Sequence, residues 1–188
     1  MKGRGMQKLA FTAAAAAGGY ALWLRRQCRT DALTGMANRR GFELALRTLV
    51  RRGRPFVLCL LDVDAFKTIN DGFGHLEGDG VLRELAGRLD RTIGDAGHIS
   101  RFGGDEFAVF LTGEWARPEE SRRLLGALQE ALTAPWILGG RALPVTISGG
   151  VSVFLGRGDG ASDVVRMADR ALYRAKAAGG GRILFTAP

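Results

Sequence analysis

The distribution of apolar residues predicts alternating helices and strands from residue 30 onward. Residues 56–61 form a continuous apolar run, typical of a central strand covered on both faces. Two short apolar stretches, 99–102 and 107–111, flank Gly-Gly-Asp-Glu, which predicts a hairpin. The other predicted elements are helices at 38–51, 80–89, 117–132 and 162–178 and strands at 145–154 and 183–185. This order predicts an α+β domain with a β-α-β-β-α-β core, an antiparallel sheet and helices on one face.

An uncharged apolar segment, residues 9–24, precedes this domain and has basic residues on both sides. As a helix it would span about 24 Å, slightly less than the ~30 Å hydrocarbon core of a bilayer. Three interpretations compete: a membrane anchor, a signal peptide cleaved within the alanine run, and a soluble buried helix. We favour the anchor, because cleavage there would leave a very short apolar region. The chain is therefore divided into an anchor segment, 1–29, and a folded domain, 30–188.

The net charge of +8 belongs mainly to the N-terminal segment. Residues 1–29 hold six of the 27 basic residues and no acid, which leaves 21 basic against 19 acidic residues in the folded domain. A nearly balanced domain with a basic flank fits a membrane-proximal stretch better than a nucleic-acid-binding face. The two cysteines, Cys28 and Cys59, have no metal-site spacing, and the pattern indicates a reducing compartment.

Two carboxylates, Asp62 and Asp64, directly follow the central apolar run. Asp64 suits a turn or a helix N-cap. Asp62 lies so close to a buried strand that it needs a partner, and a divalent cation would supply one. The predicted hairpin carries Asp105 and Glu106 after two glycines, which leave room for a ligand near the backbone. If the two strands are neighbours, Asp62 and Asp105 converge, and with phosphate oxygens they form a typical Mg²⁺ site.

Two further clusters favour a nucleotide ligand. Residues 70–75 and 78–79 combine Asn, Asp and Gly, which would suit a solvated loop. An amide and a carboxylate held together can also bond the edge of a guanine. Lys67 and Lys176 are the two lysines of the arginine-rich folded domain. The occurrence of both lysines within these motifs could be due to chance, but a compact ammonium at each position suits a triphosphate oxygen.

Together these motifs resemble the GGDEF family of diguanylate cyclases over residues 31–178. The matching segments are Asp31-Ala-Leu-Thr-Gly, Asp62-Val-Asp-Ala-Phe-Lys, Arg-Phe-Gly103-Gly-Asp-Glu-Phe107 and Ala-Leu-Tyr-Arg-Ala-Lys176. Several long motifs in order are far more specific than one. The resemblance implies a sheet like that of polymerase palm domains and adenylate cyclases.

The resemblance also implies a site for GTP with Mg²⁺, or Mn²⁺ in its place. The implied residues are the metal ligands Asp62, Val63 (through its carbonyl) and Asp105, the guanine-binding residues Asn70 and Asp79, the phosphate-binding residues Phe66, Lys67 and Lys176, and the catalytic pair Asp105 and Glu106. Glu106 would assist the metal or the 3′-hydroxyl.

Two positions depart from the family pattern. The arginine that usually binds phosphate after Lys176 is replaced by Gly180, and an arginine follows two residues later at Arg182. The Arg-x-x-Asp motif of the inhibitory product site is replaced by Gly94 and Gly97. The nearby Arg91 and Asp95 are four residues apart instead of three, but at a helix end this spacing could still bring them together, which leaves a degenerate product site open.

The resulting expectation is a homodimeric enzyme that condenses two GTP into cyclic di-GMP, with one GTP bound by each subunit. It would be attached to the bacterial inner membrane through the N-terminal helix, with the catalytic domain in the cytoplasm and no nucleic-acid partner. The main alternative is an inactive module that binds GTP or a cyclic dinucleotide. A cyclase that makes a mononucleotide is the second.

Overall fold

The structure is a computed structural model that describes residues 29–156 and 160–186. The predicted N-terminal helix lies outside these residues. Across the part of the chain that is described, no helix is both long and apolar enough to span a membrane. The helices are α1 (Arg39–Arg52), α2 (Phe66–Phe73), α3 (His75–Ile93), α4 (Pro118–Thr133) and α5 (Ala161–Ala177). The strands are β1 (Phe56–Val63), β2 (Gly97–Arg101), β3 (Glu106–Thr112), β4 (Trp136–Leu138), β5 (Arg141–Leu143), β6 (Ile147–Phe154) and β7 (Ile183–Phe185).

The main sheet has five strands in the order β2-β3-β1-β6-β7. β1 lies at the centre, antiparallel to both β3 and β6. β2 forms one edge, antiparallel to β3, and β7 forms the other edge, parallel to β6. The last pair is parallel because α5 carries the chain back along the sheet between β6 and β7. The predicted antiparallel sheet is therefore correct for four strands, whereas the complete sheet is mixed.

Helices cover both faces of the sheet, and the prediction that they pack on one face is wrong. Side chains alternate along a strand, so the continuous apolar run of β1 needs cover on both sides. Val57, Cys59 and Leu61 pack with residues of α3 and α4. The intervening residues Phe56, Leu58 and Leu60 pack with residues of α1 and α5.

Two local interactions explain how α1 and α5 are placed. Asn38 caps α1, since its Oδ1 accepts hydrogen bonds from the N–H groups of Arg40 at 3.0 Å and Gly41 at 3.3 Å. α5 lies very close to β6 at Gly150, where an added Cβ would collide with the backbone of Ala168 and Leu172. A glycine is thus required there for the helix to cover the strand.

A small hairpin of β4 and β5 was not predicted, and it packs against α3. Leu138 of β4 lies beside Gly80, where an added Cβ would be 3.3 Å from the leucine Cδ1. The buried Arg88 of α3 donates to the carbonyls of Ala131, Ala134 and Pro135 at 2.8 to 2.9 Å. Its guanidinium also lies 4.0 Å from the centre of the Trp136 ring. These bonds fix the end of α4 and the start of the hairpin against α3.

Candidate active site

The acidic residues singled out in the sequence meet at one end of the central strand. Asp62 is 9% exposed and lies near the end of β1. Its Cα is paired with Glu106 of β3 on one side and with Ser148 of β6 on the other. Asp105 lies one residue earlier on the hairpin, and its carbonyl accepts from the Val63 N–H at 3.4 Å. The predicted convergence of Asp62 with the hairpin acids is confirmed, with Glu106 directly opposite Asp62.

The glycines of the hairpin turn differ in their surroundings. An added Cβ at Gly104 would meet nothing within 4 Å, so this glycine leaves open space beside the backbone. At Gly103 the same atom would collide with the carboxylate of Glu106, which folds over that residue. The expected room for a ligand therefore exists at Gly104, while Gly103 makes room for Glu106.

The hairpin is held from behind by Arg101, whose role the sequence did not reveal. The guanidinium donates to the Gly104 carbonyl, with Nη2 at 2.6 Å, and to the Asp31 carboxylate, with Nη1 at 3.0 Å. Asp31 also accepts from the N–H and the hydroxyl of Thr34. Burial alone would raise the pKa of Asp31, but the bonds from Thr34 and Arg101 outweigh it and hold that pKa below its ordinary value. The Asp-x-x-Thr spacing is typical of such a local turn and was the available signal.

Lys176, near the end of α5, forms an ion pair with Asp62, with 2.6 Å between Nζ and Oδ1. Burial raises the pKa of Asp62, the carboxylates of Asp105 and Asp64 raise it further, and Lys176 opposes them. Burial likewise raises the pKa of Glu106, with added repulsion from Asp62 and Asp105. Arg39 and Lys176 oppose this increase at Glu106, so several carboxylates share the site with few cations.

This excess of carboxylates fits a divalent cation. Among the described residues, no group of three or more His, Cys, Asp or Glu side chains is arranged to hold a metal by itself. Two carboxylates and the Val63 carbonyl are nevertheless the hard oxygen ligands that Mg²⁺ takes when phosphates complete its coordination. The repulsion between the carboxylates, which adds to burial in raising the pKa values of Asp62 and Glu106, and the ammonium already beside Asp62 both indicate that this position favours positive charge.

The turn between β1 and α2 presents backbone N–H groups beside these acids. Ala65 has a φ of 50°, which is unusual for a residue with a side chain. α2 then begins at Phe66 with no side chain capping its first N–H groups. Uncapped N–H groups at a helix start attract phosphate oxygens. Lys67 lies exposed in this first turn, so the predicted phosphate-binding residues Phe66 and Lys67 are together.

Asn70 and Asp79 lie on two successive helices that meet at Gly74. The sequence left residues 70–75 open to a loop interpretation, but they contain the end of α2 and the start of α3. An added Cβ at Gly78 would collide with the Asn70 side-chain oxygen, so the amide of Asn70 lies directly on the first turn of α3. Asp79 is the next residue. The predicted guanine-binding pair is thus brought to one place, and both side chains are half-buried.

The acidic cluster does not lie in the large groove on the surface of the domain. A groove of about 970 Å³ lies between α1 and β2, and its lining includes Leu44, His98 and Phe110 but none of the clustered acids. The acids lie instead at an open end of the sheet. The buried Cys59, whose thiol pKa burial raises to about 12, belongs to the core.

Comparison with known proteins identifies the family. The family described as diguanylate cyclase, GGDEF domain, matches residues 28–182. The chain belongs to this family. Diguanylate cyclase DgcP of Pseudomonas aeruginosa is 43% identical over 164 residues, which make up 85% of this chain and 24% of that protein. The match therefore covers the GGDEF domain, and the chain spans 46% or less of the length of the first curated relatives.

Solved GGDEF structures have the same fold. One is the structure of the coiled coil and GGDEF domain of DgcB from Caulobacter crescentus in complex with c-di-GMP. The superposition has a TM-score of 0.82 and 27% sequence identity, and it covers 96% of this chain and 98% of the DgcB chain. Diguanylate cyclase SiaD of Pseudomonas aeruginosa, in complex with its activator SiaC, gives a TM-score of 0.79 at 33% identity over 97% of this chain and 72% of its own. The GGDEF family is one of nucleotidyltransferases, and its members generally depend on a divalent metal.

Proposed function

We propose that this chain is a diguanylate cyclase that condenses two GTP into cyclic di-GMP and two pyrophosphates. The observation that carries the proposal is the convergence of Asp62, Asp105 and Glu106 beside Lys176 at one open end of the sheet. An inactive binding module would have no need for three carboxylates of which two are held at raised pKa values, mainly by burial and further by repulsion between them. Such strain is common at catalytic sites.

The substrate would lie across α2, α3 and the catalytic hairpin. Asn70 and Asp79 would bond the guanine edge, which offers both donors and acceptors to an amide and a carboxylate. The triphosphate would lie against the N–H groups at the start of α2, with Lys67 and Lys176 as counter-charges. In this proposed arrangement the α-phosphate would lie near Asp62 and Asp105.

Asp62, Asp105 and the Val63 carbonyl would hold Mg²⁺, or Mn²⁺ in its place. When bound, the ion would neutralise charge that develops on the phosphate. Glu106 faces Asp62, and a carboxylate of raised pKa suits the acceptance of the 3′-hydroxyl proton. Lys176 would remain beside the phosphates and stabilise the transition state.

Two subunits would be needed for one product. The 3′-oxygen of each GTP would form a bond to the α-phosphorus of the other, and each α-phosphorus would lose its bond to the bridging oxygen of pyrophosphate. The described residues contain one such cluster of acids, which would serve one GTP. A homodimer with two such clusters facing each other would therefore complete the reaction.

The test is incubation of the purified full-length chain with GTP and Mg²⁺, followed by chromatography and mass determination of the nucleotide products. Cyclic di-GMP and pyrophosphate in a 1:2 ratio would support the proposal. Bound but unconverted GTP would favour the inactive module, and cyclic GMP would indicate the mononucleotide cyclase. The Asp105→Asn variant, purified in the same way, controls for contaminating activity.

We also propose that residues 1–29 attach the enzyme to the bacterial inner membrane, with the GGDEF domain in the cytoplasm. The uncharged segment 9–24 and its basic flanks support this proposal. Cell fractionation of the full-length chain tests it: recovery with the inner membrane after a high-salt wash is expected. Release by that wash, or a shortened mature chain, would contradict it.

A further inference from the structure

The loop after α5 begins in a fixed geometry directly beyond Lys176. The N–H of Gly180 donates to the Ala175 carbonyl and that of Gly179 to the Lys176 carbonyl, both at 3.0 Å. This pair of bonds is the Schellman motif, and Gly179 supplies the left-handed residue it requires, with a φ of 99°. The loop is thus positioned relative to the lysine that contacts Asp62.

Asp64 holds the far side of the same loop. Its Oδ2 accepts from the Gly181 N–H at 2.9 Å and from the Thr146 hydroxyl at 2.9 Å. Its Oδ1 accepts from the Ser148 hydroxyl at 2.6 Å. The turn or cap role that the sequence suggested for Asp64 is therefore replaced by a link between β1, β6 and the loop. This link brings the loop beside the start of α2, because Ala65 follows Asp64.

Position 180 cannot contribute a side chain at this point. Gly180 has a φ of 72°, which residues with a side chain rarely adopt. An added Cβ would also lie 2.8 Å from Oδ2 of Asp64. A cation on this loop must therefore come from another residue.

Arg182 is placed to supply that cation. Its Nε donates to the Gly180 carbonyl at 3.1 Å, so the side chain folds back over the loop. Ile183 packs into the core between the sheet and α3 and α4, and alternation puts Arg182 on the opposite face, where Asp62 and Lys176 lie. Arg182 is exposed, and the salt bridges found within residues 29–156 and 160–186 do not include it. Its two terminal nitrogens are free to bind an anion.

We propose that Arg182 binds the β- and γ-phosphates of GTP from the loop that Asp64 and Gly180 shape. The proposal rests on the proposed function, because it needs a triphosphate across Asp62 and the start of α2. Lys176 divides its charge between Asp62 and the phosphates, so Arg182 would add a further cation for the outer phosphates. A guanidinium suits them because its planar fork gives two parallel hydrogen bonds to phosphate oxygens.

The experiment compares GTP and GMP binding to the full-length chain and its variants by equilibrium titration in Ca²⁺, with synthesis assayed separately in Mg²⁺. Arg182→Ala should raise the Kd of GTP at least roughly tenfold, as the loss of a charged hydrogen bond predicts, and leave the Kd of GMP unchanged. Arg182→Lys should lie between wild type and Arg182→Ala. Arg174→Ala is the matched control. Arg174 lies two residues before Lys176 in α5, so its side chain is on the opposite face of the helix. Its GTP affinity should equal that of wild type.

A second variant tests the loop geometry. Gly180→Arg combined with Arg182→Ala should fail to restore GTP affinity, because position 180 is left-handed and blocked by Asp64. Full restoration, or an unchanged GTP Kd in Arg182→Ala, would overturn the proposal, as would an equal loss of GTP and GMP binding. If the wild type makes no cyclic di-GMP but Arg182→Ala still weakens GTP binding selectively, the proposed catalysis fails while the role of Arg182 stands.

Discussion

The two turns that flank the edge strand β2 have similar sequences and very different surroundings. The turn before the strand, Gly94–Ala96, contains Asp95, and the turn after it contains Gly103, Gly104 and Asp105. Both combine glycine with an aspartate at the end of a short strand. The later turn lies against the acidic cluster of the active site, while the earlier one lies at the other end of β2.

The later turn is supported by arginine and the earlier one is not. Arg101 joins the Gly104 carbonyl to the Asp31 carboxylate, and its side chain is 14% exposed. Arg91, close to the earlier turn, instead extends back along α3 and pairs with Glu84 at 3.1 Å. Since Glu84 lies in the direction of the helix start, Arg91 points away from Asp95. The pair that the sequence left open as a degenerate product site is thus not brought together.

The comparison teaches that an acid on a glycine turn is functional when the fold pre-positions it. Asp105 is held by a hairpin, a half-buried arginine and a neighbouring strand. Asp95 is exposed in a short turn next to Gly94 and Gly97. Both turns combine glycine with aspartate in the sequence, and the difference in their support is visible only in their contacts.

The largest effect is expected from the same substitution made in each turn. Asp105→Asn should lower the rate of cyclic di-GMP synthesis by at least roughly 100-fold, because it removes metal-binding charge where the transition state is stabilised. Asp95→Asn should keep a rate near wild type. Initial rates from product chromatography measure both, and matched thermal unfolding curves control for folding. Equal rates in the two variants would contradict the functional difference between the turns.

A smaller effect is expected from removal of the two arginines. Arg101→Ala should lower kcat with little change in the GTP KM, because it loosens the hairpin without touching the base-binding residues. It should also lower the free energy of unfolding by about 1–3 kcal/mol, since Asp31 loses a half-buried, hydrogen-bonded partner. Arg91→Ala should change that free energy by about 0–1 kcal/mol, as expected of an exposed pair. Chemical denaturation measures both losses, and a similar loss in the two variants would show that Arg101 gives no special support.

Stability should respond in the opposite direction at Glu106. Its folded pKa is raised above the ordinary value of 4.5, so its contribution to stability is present below that value and lost as the pH rises through the folded pKa. At neutral pH in EDTA, Glu106→Gln should therefore raise the Tm, by about 2–4 °C if about 1 kcal/mol is recovered. At pH 3.5 the two Tm values should converge. A lower Tm for Glu106→Gln at neutral pH would show that Glu106 is stabilised by its neighbours.

The smallest effect is expected at positions 94 and 97, where the family has its product-binding Arg-x-x-Asp motif. Added cyclic di-GMP should inhibit the initial rate weakly or not at all through this site, with pyrophosphate removed enzymatically during the assay. Gly94 and Gly97 have no side chain to bind the product, and Arg91 is paired elsewhere. Arg91→Ala should leave the inhibition curve unchanged. Strong non-competitive inhibition that Arg91→Ala abolishes would show that Arg91 moves to bind the product.

Much of the fold was predictable because its strands are strongly apolar. The central strand, the catalytic hairpin and the four helices at 38–51, 80–89, 117–132 and 162–178 are all present within a few residues. α2 was missed because Asn70, Asp71 and Gly72 have low helix propensity, and burial of Ile69 together with packing of Phe66 overrides it. β4 and β5 were missed because three-residue strands are too short to show an alternating pattern.

The residues of the candidate site could be predicted from the sequence, but the hydrogen bonds that hold them in place could not. Asp62, Asp105, Asn70 and Asp79 carry recognisable chemistry. The structure brings Asp62 close to Asp105, and it brings the Asn70 side chain against Gly78, the residue before Asp79. The bond from Arg101 to Asp31 joins residues 70 positions apart, and that from Gly181 to Asp64 joins residues 117 positions apart. Contacts at such separation depend on the topology of the whole domain, which local patterns do not contain.

The position of the acids at an open end of the sheet has a kinetic consequence. If two chains must meet for each product, as proposed, the rate per chain rises with the number of chains per unit area or volume. Synthesis then follows approximately the square of enzyme abundance while dimers are scarce, and becomes linear once most chains are paired. A twofold change in expression would therefore change second-messenger production about fourfold at low abundance. An open sheet end would in this way make the amount of enzyme itself a control on output.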